Sequence, residues 1–125
     1  MVEDAEQYCE LPSSGPFLVQ VVSSTMGRGD GELGTLLMRS FIKTLEQLER
    51  LPDTLLFYNS GVRLCCSGSV LLGDLEALVE QGVEILACGT CLNFFKLQDE
   101  LEVGRVTDML EITTRLATAG KIVKP

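Results

Sequence analysis

Three nearly unbroken apolar runs, Phe17-Leu18-Val19-Gln20-Val21-Val22, Thr54-Leu55-Leu56-Phe57-Tyr58 and Val83-Glu84-Ile85-Leu86-Ala87, constrain this chain more than any other feature. A strand that alternates apolar and polar residues keeps one face wet, whereas runs of this kind need cover on both faces, as in a parallel sheet. Parallel neighbours require a crossover, and each gap between runs holds one amphipathic segment of helix length. In the first gap Leu33, Leu36, Leu37, Phe41, Leu45 and Leu48 recur at helical spacing and stop before Pro52. They predict a helix of about five turns with that stripe on the sheet. In the second gap Asp74 is placed to cap a helix carrying Leu75, Leu78 and Val79, and Gly82 to end it. Residues 103–106 are a candidate fourth strand. Asp108-Met109-Leu110-Glu111 has the capping-box pattern, Met109, Ile112 and Leu116 share a helix face as core, and Lys121-Ile122-Val123-Lys124 supplies a fifth strand. The expected fold is α/β: a three-layer α/β/α sandwich around a mostly parallel five-stranded sheet with right-handed crossovers.

The chain has 125 residues, 46% of them hydrophobic, enough for one full core and too few for a second. Residues 1–16 carry Glu3, Asp4, Glu6 and Glu10 ahead of Pro12-Ser13-Ser14-Gly15-Pro16 and read as a flexible acidic tail or linker. Residues 17–125 form a single domain. Ten Lys and Arg against eighteen Asp and Glu give a net charge of -8, which repels a nucleic-acid backbone. No apolar run approaches the roughly 20 residues of a membrane span. Met1-Val2-Glu3-Asp4 is acidic where a secretory signal is basic, so a cytoplasmic protein is expected. Five cysteines, an odd number at irregular spacing, do not form a secreted disulfide framework and are expected to be thiols at rest.

Two of those thiols stand in Cys88-Gly89-Thr90-Cys91. The spacing by itself leaves several uses open: a disulfide, a metal site, sulfur transfer, or two small residues packed in a core. Position narrows the choice. The pair follows the third apolar run directly, and Leu92-Asn93-Phe94-Phe95 is expected to open a helix, so the cysteines lie at a strand-to-helix turn whose positive end favours a thiolate. A depressed thiol pKa is therefore expected. Histidine is absent, which removes a Cys-His nucleophile pair, a Ser-His-Asp triad and a mixed Cys/His zinc site. Activation would come from the helix start, from Arg28 or Arg63, or from the second cysteine. Joining Cys65 and Cys66 to the pair does not make a convincing metal site, since adjacent residues rarely point at one ion and a second CxxC is missing. No metal and no cofactor is expected.

In parallel sheets ligands gather at the carboxyl ends of the strands. Three loops leave those ends: residues 24–31, residues 59–62, and the cysteine motif. Candidate ligand- or anion-binding residues are Thr25, Gly27, Arg28 and Gly29 from the first, Asn59, Ser60 and Gly61 from the second, and Gly89 and Thr90 beside the thiols. Gly27-Arg28-Gly29-Asp30-Gly31 lacks dinucleotide and P-loop spacing, and its plain alternative is a turn before a helix. Asn59-Ser60-Gly61 equally fits a turn that tolerates positive φ.

The combination Thr25-Met26-Gly27-Arg28-Gly29 with Leu33-Gly34, Phe57-Tyr58-Asn59-Ser60-Gly61-Val62, Ala87-Cys88-Gly89-Thr90-Cys91-Leu92, and Val103-Gly104 with Met109 resembles the DsrE/DsrF-like proteins of sulfur transfer. Within them it resembles the carboxyl-terminal domain of YedF-type proteins linked to selenium metabolism. The resemblance implies a DsrE-like, doubly wound fold of the Rossmann/flavodoxin kind, assembled as a homo-oligomer. It also implies that Cys88 accepts sulfur as a persulfide and that Cys91 resolves it. Two features depart from the pattern. The tail is too short to be the TusA-like carrier domain found upstream in YedF-type proteins, and Cys65-Cys66 has no counterpart. The reading is a sulfurtransferase-like relay passing sulfur or selenium between donor and acceptor proteins. The alternatives are a noncatalytic oligomeric subunit that binds a small anion or partner protein in the same crevice, and a dithiol redox protein.

Overall fold

The computed structural model describes residues 15–125, so Cys9 and all but the last two positions of the expected tail lie outside the described residues. In chain order the elements are β1 (Phe17–Val21), α1 (Gly31–Leu45), β2 (Thr54–Phe57), a 3-10 helix (Asn59–Cys65), α2 (Leu72–Glu80), β3 (Glu84–Cys88), α3 (Gly89–Phe94), β4 (Arg105–Thr107), α4 (Met109–Thr118) and β5 (Lys121–Val123). The strands form one sheet in the order β4-β3-β2-β1-β5, and every pairing is parallel. The sheet is thus wholly rather than mostly parallel, with helices flanking it.

The three apolar runs are the three central strands. All four residues of β2 are buried, and β1 and β3 each expose only one residue in part. The edges behave differently. In β4 only Thr107 is buried, and in β5 no residue is. From β1 to β4 the chain steps across the sheet in one direction. The connection from β4 to β5 then returns past all three central strands. With right-handed crossovers this places α1, α2 and α3 on one face and α4 on the other. Arg115 of α4 accordingly reaches Thr54 and Glu84, which are register partners on β2 and β3.

Helix α1 differs from its predicted form. It spans fifteen residues, about four turns, and it buries Gly34, Met38, Ile42 and Leu45. Leu33, Leu36, Leu37 and Leu48 are exposed, and Phe41 is half-buried. The buried stripe begins at Gly34, which lies close against the loop that follows β1. A Cβ at Gly34 would lie 2.8 Å from Thr25 Cβ, and the Met26 N–H donates to the Gly34 carbonyl at 3.0 Å. Asp30 starts the helix, its carboxylate accepting from the Leu33 N–H at 2.9 Å.

Other boundaries move for local reasons. Leu71, not Asp74, stands at the α2 start, and Asp74 falls in the first turn, where its charge suits the helix dipole. Gly82, at φ +97°, ends α2 as expected, with the Val83 N–H returning to the Leu78 carbonyl. Helix α3 begins at Gly89, three residues before Leu92. Strand β4 begins at Arg105 rather than 103, because the chain turns at Gly104 (φ +89°) against Ile85, where a Cβ would sit 2.7 Å from the Ile85 carbonyl oxygen. Asp108 caps α4 by accepting from the Glu111 N–H at 2.9 Å. The Glu111 carboxylate does not complete the box but binds Arg105 and Thr107. Met109 is 57% exposed and lies outside the core, while Ile112 is buried and Leu116 half-buried. No helix among the described residues is long and apolar enough to cross a membrane.

Candidate functional site

Strand order fixes where the sheet opens. The connection leaving β3 goes to one face and that leaving β4 to the other, so the crevice at a change of winding direction lies beside the carboxyl ends of these two strands. Cys88 is the last residue of β3 and pairs with Thr107, the last residue of β4. The cysteine motif therefore sits where a doubly wound sheet holds its ligands.

The turn is tight because Gly89 allows it. A Cβ there would lie 2.9 Å from the Val106 Cγ1 and 3.4 Å from the Thr107 carbonyl oxygen. Cys88 occupies the position just before α3, with extended backbone, and is 1% exposed. Cys91, one turn on, is half-buried, and Thr90 between them is exposed.

The second loop meets the motif through its backbone. Asn59 holds φ +52°, a left-handed conformation that asparagine tolerates better than most residues, and its N–H donates to Cys91 Sγ at 3.1 Å. The turn is self-supporting: the Asn59 side-chain oxygen accepts from the Ser60 N–H at 2.8 Å, and the Gly61 N–H donates to the Tyr58 carbonyl at 3.1 Å. Gly61 lies directly over β1. A Cβ at Gly61 would fall 2.3 Å from the Val21 carbonyl oxygen, which also accepts from the Tyr58 N–H.

The first loop joins only by its beginning. The Ser24 N–H donates to Ser60 Oγ at 3.2 Å, and Thr25 is held by Ser23 through its N–H and hydroxyl. Beyond that the loop turns outward. Gly27 and Gly29 have positive φ, nothing lies within 4 Å of where their Cβ atoms would be, and Arg28 is exposed. The structure thus gathers Cys88, Cys91, Gly89, Asn59, Ser60 and Gly61, with Thr25 behind Ser24, and it leaves Gly27, Arg28 and Gly29 at the periphery. Arg63 is not among the groups that act on the Cys91 thiol, though its charge offsets part of the rise at Cys66. Its guanidinium stacks on the Phe95 ring at 4.4 Å.

The expected depression of the thiol pKa is not seen at Cys91. Burial pushes this thiol up, as does the adjoining Cys88, which shares a hydrogen bond with it, and the Asn59 N–H pulls it down by less. The helix-start effect is small because α3 has only six residues, too few to build a strong dipole. Cys65 and Cys66 are buried at 0% and 1% exposure, and burial raises both thiols. Cys66 donates to the Val62 carbonyl at 3.2 Å, and the Cys65 carbonyl accepts from the Glu102 and Val103 N–H groups. The vicinal pair thereby packs the 3-10 helix onto the core. Among the described residues no three Cys, Asp or Glu side chains converge on a point that could hold a metal ion.

Two contacts of this site carried no signal in residue types. The Asn59 contribution is a main-chain N–H, and Gln20 donates from β1 to the Tyr58 hydroxyl beneath the loop. Only the positive-φ preference of Asn59 was available to mark the turn.

No family model matches the chain, and no curated protein does. Two solved structures resemble it over almost their whole length. One is MTH1491 of Methanobacterium thermoautotrophicum, a protein of unknown function, 26% identical over 86% of this chain and 96% of its own, with a TM-score of 0.63. The other is the YchN protein of E. coli, 21% identical over 88% of this chain and 99% of its own, with a TM-score of 0.64. Their fold is shared with this chain: a five-stranded parallel sheet flanked by helices.

Proposed function

We propose that this protein is a sulfurtransferase-like relay of the DsrE/DsrF-like kind. In this reading it carries sulfane sulfur, or selenium, as a persulfide on the Cys88/Cys91 pair. One observation carries the reading: two thiols lie together at the carboxyl end of β3, and a backbone N–H is fixed on the sulfur of one of them. An N–H so placed stabilises a thiolate or the departing sulfur of a persulfide exchange without contributing a titrating group. The absence of histidine fits a reaction that moves sulfur between thiols, since exchange needs an attacking thiolate and a leaving thiolate rather than a separate base. Donor and acceptor would be thiol-bearing proteins, and the relay would work in the cytoplasm as a homo-oligomer.

A second reading is favoured by the raised thiol of Cys91: a noncatalytic subunit that uses the crevice to bind a partner. Intact mass after incubating the reduced protein with a persulfide-loaded desulfurase separates the two. The relay gains sulfur that is lost when both cysteines of the motif are replaced. A binding subunit gains none.

A further inference from the structure

The two cysteines of the motif are not equivalent in access. Cys88 is 1% exposed, at the end of a central strand and at the turn into α3. Cys91 is half-buried, is followed by the exposed Asn93 and Phe94, and carries the Asn59 N–H on its sulfur. A persulfide donor must bring its outer sulfur in line with the attacking thiolate, which the sulfur of a buried residue does not allow without displacing neighbours. We infer that Cys91 is the thiol that takes sulfur from the donor, and that Cys88 is the buried thiol that receives it from Cys91.

This rests on the relay reading, and it reverses the order that the resemblance implies. In the first step the Cys91 thiolate attacks the outer sulfur of a donor persulfide. A sulfur–sulfur bond forms on Cys91, the donor's bond breaks, and the electron pair leaves on the donor thiolate. In the second step the Cys88 sulfur attacks the outer sulfur of the Cys91 persulfide. The new bond forms on Cys88, the bond to Cys91 breaks, and the Cys88 proton ends on the departing Cys91 sulfur. Neither step changes the number of thiols and persulfides, so no oxidant or reductant is consumed. The Asn59 N–H serves both steps, since Cys91 is nucleophile in one and leaving group in the other.

The full chain, with Cys9→Ser to silence the thiol that lies outside the described residues, is treated with glutathione persulfide and followed by intact mass. The expected result is that Cys88→Ala loads one sulfur at no less than the initial rate of the parent, while Cys91→Ala loads at least about tenfold more slowly. Loaded Cys88→Ala is also expected to surrender its sulfur to added glutathione about tenfold faster than the loaded parent, whose sulfur rests on the covered thiol. Unimpaired loading of Cys91→Ala with failure of Cys88→Ala overturns the order and leaves the relay standing. Equal surrender rates overturn the transfer to Cys88. No loading of the parent overturns the relay itself. Circular dichroism melts verify that the variants fold. Where one does not, brief iodoacetamide treatment of the native parent decides: fragment spectra of the tryptic peptide 64–96 should place the label on Cys91 ahead of Cys88, and the reverse order refutes the assignment.

Discussion

The backbone N–H of Asn59 lies 3.1 Å from Cys91 Sγ, and it is aimed there by a left-handed backbone at φ +52°. The bond couples the carboxyl end of β2 to the cysteine motif at the end of β3. It does so through a main-chain group that only proline would remove, and proline cannot adopt positive φ, so its role is tested through conformation. Asn59→Gly keeps the turn and should stay within about 1 kcal/mol of the parent. Asn59→Val, β-branched at positive φ, should lose about 1–3 kcal/mol in urea unfolding and should raise the Cys91 pKa further as the N–H shifts away.

Burial and the neighbouring Cys88 raise the Cys91 thiol above the ordinary value of 9.0. Its thiolate is therefore scarce at neutral pH but intrinsically more nucleophilic when formed. The alkylation rate of Cys91 should keep climbing as pH passes 9.0, where an unperturbed thiol levels off. A plateau below neutral pH would contradict the balance of burial over the Asn59 hydrogen bond.

Raised thiols also make the fold sensitive to alkali. Cys65, Cys66 and Cys91 hold their protons more tightly folded than unfolded. Above pH 9.0 the unfolded chain sheds these protons first, so it binds fewer than the native state and unfolding becomes easier as pH rises. The slope is at most about 1.4 kcal/mol per pH unit for each thiol. Urea midpoints measured from pH 8 to 11, at about one-unit steps, should fall, and Cys65→Ala should flatten the decline.

Acid acts on a different group. The Arg105 guanidinium, with Thr107 beside it, holds the Glu111 carboxyl down to about 2. The unfolded chain takes up this proton first as pH falls, so the contribution of Glu111 is complete above the usual carboxylate range and is lost toward pH 2. Glu111→Gln should remove that part of the acid dependence. It should also weaken the tie between β4 and α4, since the same carboxylate binds Arg105 and Thr107 of β4.

The face that α1 presents to the sheet can be tested directly. Met38→Ala should cost about 2–5 kcal/mol, because Met38 is 1% exposed. Leu36→Ala, at 63% exposure, should stay within about 0.5 kcal/mol. Equal losses would restore the leucine stripe to the core.

Gly61→Ala tests the floor of the site. Its methyl would fall on the Val21 carbonyl, a backbone atom that cannot move aside, and a loss of about 3 kcal/mol or more is expected. Cys91 reactivity should change with it, since Asn59 rides on the same turn.

The central strands were legible because being buried on both faces forces continuous apolar composition, and that signal is local. The register of α1 was not. Leu33, Leu36 and Leu37 make as good a helical stripe as Gly34, Met38, Ile42 and Leu45, yet it is the second that packs inward, with Gly34 close against Thr25. Glycine scores poorly in a hydrophobic pattern, so the stripe that packs closest looked the weaker. The cysteine motif and the loop after β2 were legible as neighbours from strand order. Their coupling was not, because it runs from a main-chain N–H to a sulfur. The outward course of Gly27, Arg28 and Gly29 depends on where the loop finds no support, which residue types do not encode.

The return from β4 to β5 has a consequence for how the molecule is made. The ribosome delivers β1, β2 and β3 with their covering helices on one side well before α4 exists, so Leu18, Leu56 and Leu86 must wait with one side uncovered. Only when residues 109–123 emerge does α4 cross that side and β5 close on β1. Until residues 109–123 have emerged, that apolar side of the sheet stays open to other chains.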